Sequence, residues 1–250
     1  MTPSSFCTIS TKRSCHELEA LLKSLELVHA GAPVYIYCDS DTLVHLCHQN
    51  FRLNITWFVK LDKYSDINRN SCGDEVWTEL MYTKADVIKT AVNTYGDTLY
   101  LDSDIVVLHE LDIDSTKEIG LSPQFIKPEH VQKCGYYNGG FIWTKTAEFC
   151  DYWKSRRQHS RYTEQAALED CARRFTHFEF DNSYNLQCWR YYLGNGPIDS
   201  VLNESLKCIH THFGDERFKE FNDKIITYLK GRKQTTIVQI IQQISSSTPA

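Results

Sequence analysis

The stretch Thr98-Leu-Tyr-Leu-Asp-Ser-Asp-Ile-Val-Val-Leu108 sets two carboxylates directly behind a short apolar run. The run at 98–101 has the composition of a buried strand. Asp102 and Asp104 follow at its end, and side chains two residues apart in an extended chain point to the same side. Two converging carboxylates repel each other unless a cation lies between them, and hard divalent ions prefer such oxygen ligands. The stretch therefore predicts a metal site at the end of a strand.

Strand and helix patterns alternate around this stretch through the first half of the chain. Apolar or β-branched runs predict strands at 6–10, 33–38, 53–59 and 98–101. Apolar stripes at helical spacing predict helices at 16–29, 42–48 and 74–93. This alternation favours an α/β fold with a mostly parallel central sheet flanked by helices, whose ligands bind at the carboxyl ends of the strands.

The second half of the chain is less regular. We expect a strand at 139–143, helices at 144–158 and 162–175, an extended segment at 176–180 and a short strand at 206–210. The aromatic, turn-rich stretch 182–197 is predicted to be an ordered loop. Two amphipathic helices follow at 219–229 and 235–244, with a polar tail at 245–250. We interpret their apolar side chains as packing on the domain, with a homodimer contact or a membrane-surface role as the weaker alternative.

The bulk composition excludes some classes of function. The chain has 250 residues, of which 42% are apolar and 24% charged, an ordinary balance for a globular protein. Its formal net charge of −5 argues against nucleic-acid binding, which needs basic surface. No apolar run reaches the roughly 18 residues that span a bilayer, and no signal peptide precedes the first strand. We therefore expect a cytoplasmic protein without a transmembrane segment, although a membrane anchor outside the given chain would leave the same sequence.

The ten cysteines are spread evenly and none forms a C-x-x-C pair. Structural zinc usually takes paired ligands at short spacing, so the spacing argues against a zinc site. Several cysteines stand within apolar runs. We therefore expect free, buried thiols in a reducing compartment.

Three later segments carry polar groups that suit a ligand site. Asn138-Gly139-Gly140, before an apolar run, brings a side-chain amide and two bare backbones beside a ligand, or forms a simple turn. Glu164-Gln165 stands at a helix start, where Thr163 is the expected cap. His210-Thr-His-Phe-Gly214 follows a short strand and can add an imidazole to a metal that two carboxylates already hold.

The carboxylate pattern by itself fits other interpretations. D-x-D is short, and the two aspartates could form a turn or cap a helix. Haloacid-dehalogenase-type phosphatases also carry D-x-D-x-T/V behind an apolar strand, and their first aspartate, here Asp102, is a nucleophile. That motif normally opens the chain, and Gly214-Asp215 is followed by Lys219 where such phosphatases need a second aspartate. The phosphatase hypothesis is therefore the weaker one.

Taken together and in this order, the segments resemble the GT-A glycosyltransferases of the glycogenin and bacterial lipopolysaccharide galactosyltransferase type (glycosyltransferase family 8), over roughly residues 5–220. The family's Y-L-D-x-D corresponds to Tyr100-Leu-Asp-Ser-Asp104, its N-A-G to 138–140 and its D-Q pair to Glu164-Gln165. Its p-x-x-[WY]-N pattern corresponds to 181–185, and its H-F-x-G-x-x-K to 212–217. The resemblance implies a GT-A fold with a Rossmann-like sheet, and a hexosyltransferase activity.

The resemblance also implies a site for a nucleoside diphosphate sugar, most simply a UDP-sugar. Mn²⁺ or Mg²⁺ is expected on Asp102, Asp104 and His212. Gln165 is expected near the reacting anomeric carbon, with Glu164 and Asp181 as further catalytic candidates. The expected donor-binding residues are Thr8, Ile9, Ser10, Thr11, Asp39, Lys84, Asp102, Ser103, Asp104, Asn138, Gly139, Gly140, Gly214 and Arg217.

The implied reaction moves the sugar to a hydroxyl of a glycan or protein acceptor, with retention favoured over inversion. Inversion would need a carboxylate base, for which Glu164 or Asp181 is available. A catalytically inactive sugar-binding module of the same fold is a further alternative. The chain also departs from the family pattern: Glu164 replaces an aspartate, and the segment ending at Arg217 is one residue short and lacks K-P-W.

The same resemblance suggests a division of the chain. Residues 1–220 are expected to form the GT-A domain, with a nucleotide-binding half at about 1–108 and a donor-sugar and acceptor half at about 109–220. Residues 221–250 are expected to add C-terminal helices and a tail packed on that domain.

Overall fold

The structure, a computed structural model, describes residues 1–69, 72–194 and 196–247, with side chains through Ile244. The strands in this part of the chain are β1 (Phe6–Ser10), β2 (Pro33–Cys38), β3 (Asn54–Val59), β4 (Thr98–Leu101), β5 (Ile105–Val107), β6 (Ile119–Pro123), β7 (Tyr137–Thr144), β8 (His177–Glu179), β9 (Leu186–Gln187) and β10 (Cys208–His210). The α-helices are α1 (Cys15–Val28), α2 (Ser40–Leu46), α3 (Asp74–Tyr95), α4 (Pro128–Cys134), α5 (Ala147–Ser155), α6 (Leu168–Arg174), α7 (Cys188–Leu193), α8 (Lys219–Gly231) and α9 (Thr235–Ser247).

A seven-stranded sheet in the order β3-β2-β1-β4-β7-β6-β8 forms the centre of the fold. β1 pairs in parallel with β2 and β4, and β2 pairs in parallel with β3. β7 runs antiparallel between β4 and β6, and β8 is parallel to β6. The predicted α/β fold with a mostly parallel sheet is therefore confirmed. Because β1, β2 and β4 are parallel, their carboxyl ends lie at one edge of the sheet.

Alternate residues of the central strands face opposite layers of helices. Tyr100 of β4 belongs to the layer covered by α3 and α5, together with Trp153. Its neighbour Leu99 belongs to the layer covered by α1, together with Leu18. All four residues of β4 are buried. The chain that follows β4 therefore leaves the core at a fixed point.

A smaller sheet, β5-β10-β9, is built in part from the residues that follow β4. β10 runs antiparallel to β5, with His210 opposite Ile105, and parallel to β9. α8 and α9 share an apolar core with this sheet, and their buried side chains include Phe221, Ile225, Leu229, Ile237, Ile240, Ile241 and Ile244. The apolar faces of α8 and α9 are thus covered by contacts within the chain. α9 extends to Ser247, into the predicted tail, and 248–250 lie outside the described residues.

Several elements of the second half differ from the prediction. β6 was not predicted, because Gly120 and Pro123 are unusual in strands. The strand needs Gly120 because a Cβ there would lie 2.3 Å from the Phe178 ring. The helix predicted at 162–175 is shortened to α6, and Thr163 adopts a φ of 38° instead of capping it. The loop predicted at 182–197 contains β9 and α7, and Asn195 lies outside the described residues.

The cysteines are free thiols, and those buried in the core are Cys7, Cys38, Cys150, Cys171, Cys188 and Cys208. Among the described helices, none combines the length and the apolar character that crossing a membrane requires.

Candidate active site

The two predicted carboxylates converge with a histidine where the two sheets meet. Donor atoms of Asp102, Asp104 and His210 all lie within 4.8 Å of one another. The backbone N–H of Asp102 donates to the carbonyl of Gly140 on the neighbouring strand β7, at 2.8 Å, and so fixes the exit of the chain from β4. Ser103 lies half-buried between the aspartates. A convergent set of two carboxylates and one imidazole has the chemistry of a divalent-metal site.

The register of the small sheet selects His210 for this cluster. His210 ends β10 opposite Ile105, the residue after Asp104, and the N–H of Thr211 donates to the carbonyl of Asp104 at 3.1 Å. As a result, His210 Nε2 lies 3.2 Å from Asp104 Oδ1 and 3.9 Å from Asp102 Oδ2. The sequence prediction placed the neighbouring ring, His212, in this position.

His212 stands beside the cluster and not at its centre. Its Nε2 lies 3.5 Å from Asp104 Oδ2, and its Nδ1 is 2.8 Å from Glu17 Oε1 on α1. The His212 side chain is 48% exposed, whereas that of His210 is 11% exposed. Burial lowers the pKa of His212, but Asp104 and Glu17 outweigh it and raise the pKa to about 10. The ring is therefore within reach of a cation on Asp104, at the solvent side of the site.

The electrostatics of the cluster favour a positive charge at its centre. Burial raises the pKa of Asp104, but His210 and His212 outweigh burial and hold the pKa far below its ordinary value. Burial likewise lowers the pKa of His210, and Asp104 outweighs it and raises the pKa. The negative charge that favours a proton on the imidazoles is the same charge that would hold a metal ion.

Asn185 determines which nitrogen of His210 faces the carboxylates. Its Oδ1 lies 2.9 Å from His210 Nδ1. Its Nδ2 donates to Ser122 Oγ at 3.1 Å and to Asn138 Oδ1 at 3.2 Å, which orients the amide so that its oxygen faces the ring. We infer from this network that Nδ1 carries the proton, because an amide oxygen can only accept. Nε2 is then left with a free lone pair directed at the aspartates, as a metal ligand requires.

Lys84 lies buried behind the carboxylates, with 3% of its surface exposed. Its ammonium is 2.9 Å from Asp102 Oδ1 and 3.1 Å from Glu164 Oε1, and it donates to the carbonyl of Gly139 at 3.3 Å. Burial lowers the pKa of Lys84, but Asp102 and Glu164 outweigh burial and raise it. Lys84, which was expected to bind the donor, is thus part of the cluster, where it holds Asp102 and Glu164 in place.

The two glycines of Asn138-Gly139-Gly140 make room for this assembly. A Cβ at Gly140 would lie 2.3 Å from Asp102 Oδ2 and 2.6 Å from His210 Cε1. A Cβ at Gly139 would lie 2.6 Å from Glu164 Oε1. The bare backbone predicted to face a ligand therefore faces the protein's own charged side chains, which could not otherwise approach β7.

Buried amides extend the cluster along β7. Asn138 Nδ2 donates to Gln165 Oε1 at 3.2 Å and to Gln187 Oε1 at 2.9 Å, and the N–H of Gly139 also donates to Gln165 Oε1. The predicted Gln165 thus joins the predicted Asn138. Gln187 Nε2 is buried without a hydrogen-bond partner among the described residues, so it can donate to a bound ligand. Asn185 is the last residue of the pattern at 181–185, but the resemblance assigned it no role, and Gln187 belongs to no recognisable sequence pattern.

Of the predicted nucleotide-binding residues, Thr8, Ile9 and Ser10 end β1 and Thr11 follows it, and all four are buried. Asp39 follows β2 at the same edge and accepts from the N–H groups of Thr42 and Lys12 and from Ser65 Oγ, at 2.6–2.9 Å. These bonds already occupy both carboxylate oxygens. Asp39 therefore fixes the shape of the loops after β1 and β2.

Two predicted residues lie at the surface. Arg217 pairs with Asp215, with 66% of its side chain exposed, on the turn that follows Gly214. Asp181 is exposed and accepts from the N–H and hydroxyl of Ser183. Both contacts stabilise local turns. Within the described part of the chain, neither side chain forms a hydrogen bond with Asp102 or Asp104.

No protein-family profile and no curated protein sequence matches the chain. Its structure, however, matches solved structures. The galactosyltransferase LgtC, solved in complex with donor and acceptor sugar analogues, aligns with a TM-score of 0.56 at 13% identity, over 88% of this chain and 95% of LgtC. The glycosyltransferase GlyE of Streptococcus pneumoniae TIGR4 aligns with a TM-score of 0.54 at 13% identity, over 82% of this chain and 54% of GlyE. The chain thus spans about half the length of GlyE.

This protein has a GT-A fold. The expected resemblance to glycosyltransferases is confirmed at the level of structure. Both of these structures are glycosyltransferases, and neither is a phosphatase.

Proposed function

We propose that the protein is a metal-dependent glycosyltransferase that moves a sugar from a nucleoside diphosphate sugar, most simply a UDP-sugar, to a hydroxyl of a glycan or protein. The observation that carries the proposal is the convergence of Asp102, Asp104 and His210 at the carboxyl end of β4 in a GT-A fold. Intact carboxylates and an oriented imidazole argue against an inactive sugar-binding module.

The residues present fit a hard divalent ion. Asp102, Asp104 and His210 would hold Mn²⁺ or Mg²⁺, and His212, the ring predicted from the sequence, stands next to Asp104 on the open side. Such an ion would stabilise the negative charge that develops on a leaving diphosphate. Tyr100 hydroxyl donates to Asp102 at 2.6 Å, and Lys84 contacts the same carboxylate, so this ligand is preorganised.

Donor recognition is proposed for two neighbouring regions. The end of β1 with Thr11 after it (residues 8–11), and Asp39 after β2, would surround the nucleoside at the sheet edge. The amides of Asn138, Gln165 and Gln187 would orient the sugar hydroxyls, with the free Nε2 of Gln187 as a donor. Gly214 and Arg217, on the turn after His212, would lie nearest the diphosphate.

Retention of configuration is the proposed course. An inverting enzyme needs a free carboxylate base near the acceptor. Glu164 is bound to buried Lys84, and Asp181 holds the turn at Ser183. These contacts leave Gln165 as the proposed residue beside the anomeric carbon. We assign the sugar chemistry to residues 1–220, with nucleotide binding at about 1–108 and donor-sugar and acceptor binding at about 109–220, and a supporting role to 221–250.

A thermal-shift panel of nucleoside diphosphates and their sugars, with Mn²⁺ or with a chelator, tests the proposal. Binding at 100 times Kd adds about 2.7 kcal/mol to the free energy of unfolding, which is a shift of roughly 5–10 °C for a chain of this size. We expect a UDP compound to give this shift only with Mn²⁺, and Asp104→Asn to abolish it. Asp151→Asn, which removes an exposed carboxylate paired with Lys89, is the matched control.

Turnover is then measured as release of the nucleoside diphosphate from the sugar that binds. The proposal is wrong if no nucleoside diphosphate stabilises the protein with Mn²⁺, or if Asp104→Asn binds and turns over the donor as well as the control variant does. Phosphate release from simple esters would support the phosphatase hypothesis instead.

A further inference from the structure

A second group of metal-binding side chains lies where α1 meets α2. Cys15 and His16 open α1, and His45 stands in the last turn of α2. The sulfur of Cys15 and one nitrogen of each imidazole all lie within 4.8 Å of one another. The two rings meet edge to face, with their centroids 5.1 Å apart. None of these side chains belongs to the cluster around Asp102.

The donor atoms of this group are chemically different from those of the carboxylate site. One sulfur and two imidazole nitrogens suit Zn²⁺ and other borderline or soft transition ions, whereas Mn²⁺ and Mg²⁺ prefer oxygen. Donor atoms around a tetrahedral zinc ion lie roughly 3.3–3.6 Å apart, given its Zn–N and Zn–S bond lengths. Because the His45 side chain is exposed, it can rotate toward the other two donors. Three protein ligands leave the fourth position of a tetrahedral ion for water.

We propose that Cys15, His16 and His45 form a second metal site, for Zn²⁺ or a transition ion of similar softness, that joins α1 to α2. Glu19, one turn after Cys15 on α1, borders the site: its Oε2 is 3.8 Å from His45 Nε2, and Lys23 pairs with its Oε1. Burial raises the pKa of the half-buried Cys15 thiol. Metal binding therefore releases the thiol proton to solvent as the sulfur–metal bond forms.

The sequence analysis argued against a zinc site because no two cysteines form a C-x-x-C pair. That argument does not cover a site whose ligands include histidines from two different helices. Here two ligands are adjacent on one helix and the third comes from another helix. Packing of α2 against α1 brings them together.

The site adjoins the support of the catalytic cluster. Glu17, the residue after His16, holds His212 Nδ1 at 2.8 Å. An ion bound to Cys15 and His16 would immobilise the first turn of α1, and with it Glu17. The proposed ion thus stabilises the structure next to the carboxylate site without entering it.

The test uses the full chain in an Asp104→Asn background, which disables the carboxylate site, after removal of metals with a chelator. Titration with Co²⁺ should produce a thiolate-to-cobalt charge-transfer absorption that saturates at one ion per chain and disappears when Zn²⁺ is added. Cys15→Ser should abolish the absorption. Since loss of a supporting residue already weakens metal affinity about 10–100-fold, loss of a ligand in His45→Gln should weaken Zn²⁺ binding at least about 100-fold.

Cys47→Ser and His48→Gln are matched controls, because both residues are exposed in the same part of the chain as His45. Both variants should bind Co²⁺ and Zn²⁺ as the parent does. Zn²⁺ should also protect Cys15, located by peptide mass spectrometry, from alkylation. The proposal fails if the parent shows no thiolate–cobalt absorption, if the absorption persists in Cys15→Ser, or if His45→Gln binds Zn²⁺ with the parent's affinity.

Discussion

The Nδ1 atom of His210 lies 2.9 Å from the Oδ1 atom of Asn185, and both side chains are buried. Through this contact, a residue that does not touch the proposed ion determines which nitrogen of its imidazole ligand is available. Loss of such a supporting group typically weakens metal affinity about 10–100-fold.

We expect Asn185→Ala to lower the affinity for Mn²⁺ about 10–100-fold, because the ring of His210 loses the acceptor that fixes its tautomer. Asn185→Asp keeps that acceptor and should lose less affinity. Asn182→Ala removes an exposed amide from the same segment and should bind as the parent does. Mn²⁺ titration followed by electron paramagnetic resonance measures all three. Equal affinities for Asn185→Ala and Asn182→Ala would contradict the assignment.

Lys84 is expected to contribute strongly to stability. Lys84→Met leaves the half-buried carboxylate of Asp102 and the buried carboxylate of Glu164 without their partner, which should cost about 3–5 kcal/mol in the free energy of unfolding. Lys89→Met removes an exposed ion pair with Asp151 from the same helix and should cost no more than about 1 kcal/mol. Urea unfolding measures both. A similar small cost for the two variants would show that Lys84 does not neutralise the carboxylates of Asp102 and Glu164.

Gly140→Ala should damage the site and the fold together. The added methyl group would overlap Asp102 and His210, and overpacking of this kind costs about 1–3 kcal/mol. Mn²⁺ should no longer stabilise the variant in thermal unfolding. Gly231→Ala is the control, because open space surrounds that position at the end of α8 and alanine is the better helix former. Retention of the Mn²⁺ effect in Gly140→Ala would mean that the close approach is not required.

We expect the carboxyl group of Asp39 to make the free energy of unfolding depend on pH. Burial raises the pKa of its carboxyl, but hydrogen bonds from Ser65, Thr42 and the backbone of Lys12 outweigh burial and lower the pKa below 3.8. A lowered pKa in the folded state stabilises the fold above the unfolded pKa, and this stabilisation is lost as pH falls through the folded value.

Asp39→Asn should therefore lower the free energy of unfolding by about 1–3 kcal/mol near neutral pH. The difference from the parent should shrink below about pH 4 as the parent carboxyl takes up its proton. Urea unfolding at a series of pH values measures the difference. A difference that stays constant from neutral to acidic pH would contradict the role of the ionised carboxylate.

The part of the site that sequence could predict is the part that depends on local geometry. Asp102 and Asp104 follow a buried strand, and that context is contained within a few residues of the chain. The choice between His210 and His212 is different, because residues two apart on a strand face the same way. The pairing of His210 with Ile105 decides it, and that register belongs to two segments far apart in the sequence.

Other features escaped prediction for the same reason. Gly120 and Pro123 make β6 unlike a strand in composition, and only the nearby Phe178 ring explains the glycine. Gln187 is an ordinary polar residue until the packing of β9 buries it beside Asn138. Tertiary contacts carry this information, and single-sequence patterns do not.

The arrangement of the two sheets also sets an order of events for a nascent chain. The central sheet has all its strands once Glu179 has been synthesised, but β10, which carries His210, comes only later. The strands of the central sheet can therefore pair before His210, the proposed third metal ligand, has been synthesised. The proposed metal site at Asp102 and Asp104 would therefore be completed only after β10 has paired with β5, so that this short strand comes last in the formation of the site.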